Sequence, residues 1–185
     1  IFDVAINGAL PALQDLREQG VVRAIGLGVN EWEVCVRVLD TIDVDCFLLA
    51  GRFTLLEQTP LDEMLPRCIA DDVSVIIGGP YNSGLLANTD RRRATYDYKP
   101  APDHLWEKAQ RIREVCESHG VDMRAAALQY PLRHPAVAAV IPGMWSKEEV
   151  QTNLGLMRVD IPPALWNELD GAGLVRGWND GEESI

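Results

Sequence analysis

The 185-residue chain is long enough for one domain, and its 47% hydrophobic content with mixed charge is that of a soluble globular protein. Seventeen Lys and Arg against 28 Asp and Glu give a net charge of −11, which argues against an extended nucleic-acid or anionic-membrane surface. No apolar run approaches the ~20 residues of a membrane helix and no signal-like start is present, so no membrane or nucleic-acid partner is expected.

In chain order, Ala9, Leu10, Leu13 and Leu16 form a helical stripe that Gly20 closes as a C′ glycine. Val21 to Val29 reads as a strand, interrupted by Gly26 and Gly28. Asn30 to Glu33 has the form of an N-cap with Glu at N3, opening a helix whose apolar face is Val34, Val38 and Ile42. Cys46 to Ala50 is a second strand. Thr59-Pro60 places Pro at the first position of a helix through Leu61, Met64, Leu65, Cys68 and Ile69. Val73 to Ile77 is a third strand, running into Gly78-Gly79-Pro80-Tyr81-Asn82-Ser83-Gly84 and then a long irregular segment containing Arg91 to Arg93. Asp103 caps a helix carrying Leu105, Ala109, Ile112 and Cys116 that Gly120 ends, and a shorter helix from about Asp122 to Tyr130 stops at Pro131.

The next unit is the most informative. Val137 to Ile141 is an uninterrupted apolar run suited to a strand covered on both faces. Pro142 and Gly143 turn the chain, and Ser146 with Glu149 three residues on forms a capping box that starts a helix. Val150, Leu154 and Met157 recur at helical spacing and are expected to face the sheet. A helix start just past a strand end offers free N–H groups and a positive dipole end, an arrangement that suits anions. Pro162-Pro163 opens a last helix with Leu165, Trp166 and Leu169, and residues 177–185 read as a frayed acidic tail.

Four strands alternating with helices predict βαβ units and a parallel sheet. A (β/α)8 barrel takes about 250 residues, so four units make roughly half of one. The chain opens Ile1-Phe2-Asp3 without Met and is expected to be a piece of a longer protein, residues 1–185 forming a single partial domain. Half a barrel leaves unpaired strand edges and an open sheet face, so self-association through those edges is expected of the chain alone. Cys35, Cys46, Cys68 and Cys116 lack metal-ligand spacing and read as reduced buried thiols, in keeping with a cytoplasmic location. His104, His119 and His134 each sit near a helix end and read as structural or solvated; no metal site is expected.

The turns together carry a resemblance. ALPALQDLREQGVVRAIGLGVNEWE (residues 9–33), PYNSGLL (80–86) and AAVIPGMWSKEEVQTNLGL (138–156) resemble the second half of an aldo-keto reductase. DCFLLAGRFTLLEQ (45–58) and NEWEVC (30–35) resemble its aldose 1-dehydrogenase branch, of the D-threo-aldose or L-fucose type.

The resemblance implies the C-terminal half of a (β/α)8 barrel with an extra C-terminal helix, and hydride transfer between a nicotinamide and a carbonyl or lactol carbon of a small sugar or carbonyl substrate. The reaction implied is oxidation of an aldose at C1 to the lactone; a general carbonyl reductase and a non-catalytic dinucleotide-binding module are the alternatives. The family's catalytic Asp, Tyr, Lys and His lie on its first four strands, so no residue here is assigned to catalysis. Tyr81, Tyr96, Tyr98 and Tyr130 match no catalytic position.

What remains by resemblance is the cofactor half. Asn30 falls near the nicotinamide carboxamide. Pro80, Tyr81, Asn82, Ser83, Gly84 and Leu85 fall in the loop along the pyrophosphate, where backbone N–H groups cradle negative oxygens. Gly143, Trp145, Ser146, Glu149 and Asn153 fall in the turn and helix at the adenosine end. Two family contacts are missing: the usual Gln aligns with Ala50 and the usual stacking aromatic with Gly78, which leaves Arg52 and Phe53 to compensate. Arg91 to Arg93 read as a solvated face. Members selecting NADP place Lys and Arg where this chain has Gly143 and Glu149. A carboxylate about 5 Å from a phosphate charge costs ~3 kcal/mol at an effective dielectric near 20, roughly a 100-fold discrimination, so NAD is expected to be preferred over NADP.

Overall fold

The computed structural model describes residues 2–178. The chain enters through α1 (Phe2–Val4), a π-helical stretch Ala5–Ala9 and α2 (Leu10–Glu18), and the helix ends as expected at Gly20, whose φ is 73°. There follow β1 (Gly26–Val29), α3 (Trp32–Leu39), β2 (Cys46–Ala50), a 3-10 turn Thr59–Asp62, α4 (Met64–Ala70) and β3 (Ser74–Gly78). Beyond β3 a 3-10 turn Arg91–Arg93 leads to a short hairpin, β4 (Thr95–Tyr96) and β5 (Lys99–Pro100), then α5 (Asp103–Ser118) and α6 (Met123–Gln129). The last unit is β6 (Val137–Ile141) and α7 (Lys147–Leu156), followed by α8 (Pro163–Gly171).

The main sheet has the order β1-β2-β3-β6, all neighbours parallel. Chain order and sheet order coincide, as in one continuous arc of a (β/α)8 barrel. Side chains alternate along the strands: Phe47 and Leu49 of β2 and Val75 and Ile77 of β3 are fully buried, whereas Leu48 and Ile76 between them are only half-buried. The sheet therefore has one covered face and one open one, as expected for about half a barrel. Strands β1 and β2 approach so closely at Gly26 that a Cβ there would sit 1.9 Å from the Cys46 carbonyl oxygen, which admits only glycine.

Several sequence expectations need correction. The first strand is confined to Gly26–Val29, and Val21 lies exposed before it. The N-cap of α3 is Glu31 and no side chain caps it, so the Asn30 box does not form. The Thr59-Pro60 helix splits into a 3-10 turn and α4, with Ile69 exposed, and Pro102 rather than Asp103 is the N-cap of α5. Val150, Leu154 and Met157 are exposed, and Leu156 is the buried residue of α7. The reason is positional: β6 is an edge strand of the described sheet, so α7 packs against α6 and no further strand–helix unit stands beyond it among the described residues. At the far end Gly177 is held by its N–H donating to Asp170 Oδ1 at 2.8 Å, and Trp178 packs against Phe53, Tyr130 and His134. Those two residues are docked, and the remainder of the expected tail, 179–185, lies outside the described residues.

Candidate functional site

The carboxyl ends of β2, β3 and β6 are stitched together by short backbone bonds, Gly51 N–H to Gly78 O at 2.8 Å and Gly79 N–H to Ile141 O at 3.1 Å. Beyond Gly79 the chain folds into a tight loop in which Asn82, Ser83 and Gly84 all have positive φ. Asn82 is buried and its Nδ2 donates to Gly51 O at 3.0 Å, which fastens the loop to the end of β2. Leu85 and Leu86 are fully buried beneath it. After β6, Ser146 Oγ accepts from the Glu149 N–H at 3.1 Å, and Glu149 Oε2 accepts from the Trp145 N–H at 2.6 Å. The capping box expected from the sequence is present, with the carboxylate reaching one residue further back, to Trp145.

Between these two loops lies a cleft of about 730 Å³, within the size range of small-molecule sites. Of the residues singled out from sequence, Tyr81, Ser83, Gly84, Gly143, Trp145, Glu149 and Asn153 line it. The Tyr81 hydroxyl donates to Asn153 Oδ1 at 2.7 Å, fixing the amide of α7 against the loop. Burial pushes the Tyr81 phenol up to about 12, so it remains a donor through the neutral range.

Pro80, Asn82 and Leu85 are buried and serve the loop's own structure. Ser146 caps α7 without lining the cleft. Asn30 follows β1, two strands from β3, and does not reach the cleft. The N–H groups of Asn82, Gly84 and Leu85 donate within the loop to Gly79, Tyr81 and Asn82 carbonyls, so they do not form the free phosphate cradle expected of this stretch. Neither compensating residue meets the expectation. Phe53 is fully buried in an aromatic cluster with Tyr130, His134 and Trp178. Arg52 is engaged by Asp97 at 2.9 Å and Glu57 at 3.4 Å. At the position of the missing aromatic a Cβ on Gly78 would lie 3.3 Å from Leu48 Cδ2, so a larger residue there requires that side chain to shift.

The sequence reading missed Tyr98 and Arg124 in the cleft wall. Arg124 stands in the first turn of α6, paired with its N-cap Asp122, whose carboxyl is held below the ordinary range by those hydrogen bonds. The Asp122-x-Arg124 spacing at a helix start was a visible signal for that pair, but only tertiary packing brings it beside Tyr81. Tyr98 is delivered by the β4–β5 hairpin, whose two-residue turn has φ of 48° at Asp97 and 60° at Tyr98. This turn type normally takes Asn-Gly, and a left-handed non-glycine residue costs about 1–2 kcal/mol. Arg52 bonds Asp97 and the Tyr96 hydroxyl, Ser83 Oγ accepts the Tyr98 N–H at 3.4 Å, and Thr95 Oγ1 donates to Ser83 O at 2.7 Å. Together these hold the turn. Arg91 and Arg92, by contrast, pair with Asp103 and Asp90 and stay out of the cleft.

The sequence profile of the Aldo/keto reductase family matches residues 2–173. The chain belongs to the aldo/keto reductase family. It is 37% identical over 175 residues to a D-threo-aldose 1-dehydrogenase from Pseudomonas sp, covering 94% of this chain and 53% of that one. It is also 37% identical over 169 residues to a pyridoxal 4-dehydrogenase from Microbacterium luteolum, covering 91% and 49%. The chain thus spans about half the length of the curated relatives it matches. Among solved structures, the apo form of an aldo-keto reductase from Bacillus halodurans aligns with a TM-score of 0.73 at 22% identity, over 92% of this chain and 57% of that one. The aldo-keto reductase fold is therefore present here as a partial barrel. Aldo-keto reductases are oxidoreductases that use NAD(P)(H), which makes a dinucleotide the group to test against the cleft. Its residues suit one: Ser83 and Arg124 offer donors to phosphate oxygens, and Gly79, Gly84, Ala87 and Gly143 leave room beside exposed aromatic rings.

Proposed function

We propose that this chain holds the adenosine and diphosphate end of a nicotinamide dinucleotide in an enzyme that oxidises an aldose at C1 to the lactone, with NAD preferred over NADP. The observation that carries this reading is the convergence of Tyr81, Ser83, Gly84, Gly143, Trp145, Glu149 and Asn153 on one cleft at the carboxyl ends of β3 and β6. Ligands of barrels and open parallel sheets collect at those ends. When bound, the cofactor supplies the hydride acceptor. The chain's own residues bind and orient: Ser83 and Arg124 meet the diphosphate, and Asn153, steadied by Tyr81, meets the adenine edge. Glu149 puts a carboxylate at the adenosine end, which opposes an added phosphate.

The sugar assignment is supported by the aldose dehydrogenase relative. A second reading, dehydrogenation of a pyridoxal-type aldehyde, is favoured by equal identity to the pyridoxal 4-dehydrogenase. This chain alone carries no catalytic residue and is expected to be inactive, so the full-length protein that contains it, assayed with NAD⁺ or NADP⁺ against aldoses, pyridoxal and simple aldehydes, separates the two. Reduction of NAD⁺ with an aldose and lactone formation are expected. Turnover of simple aldehydes alone, in the reductive direction, would refute the aldose reading.

We also propose self-association of the chain when it is alone. The half-exposed Ile141 on edge strand β6 and the exposed Val150 and Leu154 of α7, with Met157 just past its end, support it.

A further inference from the structure

Two aromatic rings are almost wholly exposed among the described residues, Tyr98 at 94% and Trp145 at 97%, and both line the same cleft. Exposed rings of this size forgo a large burial gain, and here two of them border one cleft. They come from separate elements, Tyr98 from the β4–β5 hairpin and Trp145 from the turn between β6 and α7. In each case a side chain holds the residue's own backbone N–H, Ser83 Oγ for Tyr98 and Glu149 Oε2 for Trp145. The backbones are fixed and the rings are left free. The left-handed conformation at Tyr98 is maintained by the Arg52–Asp97 pairing, so the fold supports an unfavourable turn whose result is to present this ring. The same cleft is lined by the small residues Gly79, Gly84, Ala87 and Gly143, which leave space for a flat group.

We propose that Tyr98 and Trp145 form an aromatic clip that stacks on the purine ring of the bound nucleotide. This rests on reading the cleft as the adenosine end of a dinucleotide site, and it assigns the recognition of the base there to π-stacking by two residues. The hairpin then acts as the arm of the clip and Arg52 as its anchor. Stacking is tolerant of base identity, so ADP and other purine diphosphates are bound through the same two rings.

The test is titration of the protein with ADP, NAD⁺ and nicotinamide mononucleotide, followed by calorimetry and by tryptophan fluorescence. The variants are Tyr98→Ala, Tyr98→Phe and Trp145→Leu. Both rings are on the surface, so thermal unfolding is expected to be unchanged. Tyr98→Ala and Trp145→Leu should each weaken ADP and NAD⁺ by about tenfold, the scale of one base–aromatic stack, and leave nicotinamide mononucleotide unaffected. Tyr98→Phe should keep wild-type affinity, because the ring and not the hydroxyl does the stacking. The fluorescence quench on adding ADP should vanish in Trp145→Leu. If ADP binds the wild type and both ring-deleting variants equally, or if nicotinamide mononucleotide weakens in parallel, the clip is wrong and the dinucleotide reading survives. If the wild type binds neither ADP nor either dinucleotide, both fall together.

Discussion

Replacing Glu149 with Gln tests the sign of the cofactor preference with little damage to the fold. In the structure Glu149 Oε2 accepts from the Trp145 N–H at 2.6 Å, and the amide oxygen of Gln can accept the same bond. The helix start loses only the charge term of the interaction with its dipole, about 0.3–1 kcal/mol. The electrostatic gain for NADP⁺ follows from the exposure of Glu149, which moves the effective dielectric toward that of water. Repulsion of a 2′-phosphate carrying about −1.5 to −2 charges from a carboxylate about 5 Å away is then ~1–2 kcal/mol, not the ~3 kcal/mol per charge of a dielectric near 20. Salt at 0.1 M, with a Debye length of about 10 Å, reduces this to a factor of roughly fivefold. Calorimetric titration of wild type and Glu149→Gln with NAD⁺ and NADP⁺ at two ionic strengths is the assay. NADP⁺ should tighten by about fivefold at 0.1 M salt and more at low salt, with NAD⁺ unchanged. The space around Gly143 is open to a side chain, so adding Gly143→Lys should tighten NADP⁺ further. Equal affinity of Glu149→Gln and wild type for NADP⁺ at low salt would refute the argument, because it would mean the carboxylate does not face the bound nucleotide.

Three further outcomes are expected. Tyr81→Phe removes the bond that holds the Asn153 amide in the ligand-free fold, so it should lower stability by ~1 kcal/mol and, by releasing that amide, weaken dinucleotide binding by up to about fivefold; unaltered affinity would mean Asn153 does not meet the ligand. Asp45 accepts from the Ile25 N–H at 2.7 Å and from Arg17 at 2.8 Å, which lowers its carboxyl below the ordinary range. Its contribution is therefore complete above the unfolded value of about 3.9 and lost as pH falls through the lower folded value. Denaturant titrations should show Asp45→Asn destabilised by ~1 kcal/mol near neutral pH, a modest figure because solvent screens the pair, and converging with wild type in acid. Finally, burial pushes the Cys35, Cys68 and Cys116 thiols up to about 12 and raises that of Cys46 too, but Cys46 alone of the four is only partly buried. Native protein treated with iodoacetamide near pH 8 should be labelled slowly at Cys46 only, as read by peptide mass mapping, and at all four after unfolding.

Local sequence decided whatever depends on neighbours in the chain. The β-branched and apolar runs at Cys46–Ala50 and Val137–Ile141, the Gly20 stop and the Ser146 cap were all legible, because strand burial, left-handed helix termination and capping are set within a few residues. The alternation of strand and helix was enough to give a parallel sheet, and the order of the turns was enough to bring Tyr81, Ser83 and Asn153 to one rim.

Tertiary structure decided what each turn residue is free to do. The N–H groups of the loop after β3 were already used within it, Phe53 was drawn into the core, and Asn30 was left two strands away, none of which sequence spacing contains. The helical spacing of Val150, Leu154 and Met157 specifies an apolar stripe but not the element that covers it, and at the edge strand nothing in the described residues does. Tyr98 and Arg124 enter the cleft only because a hairpin and a helix remote from β6 in sequence fold back beside it, and long-range packing of that kind is not encoded in any local period.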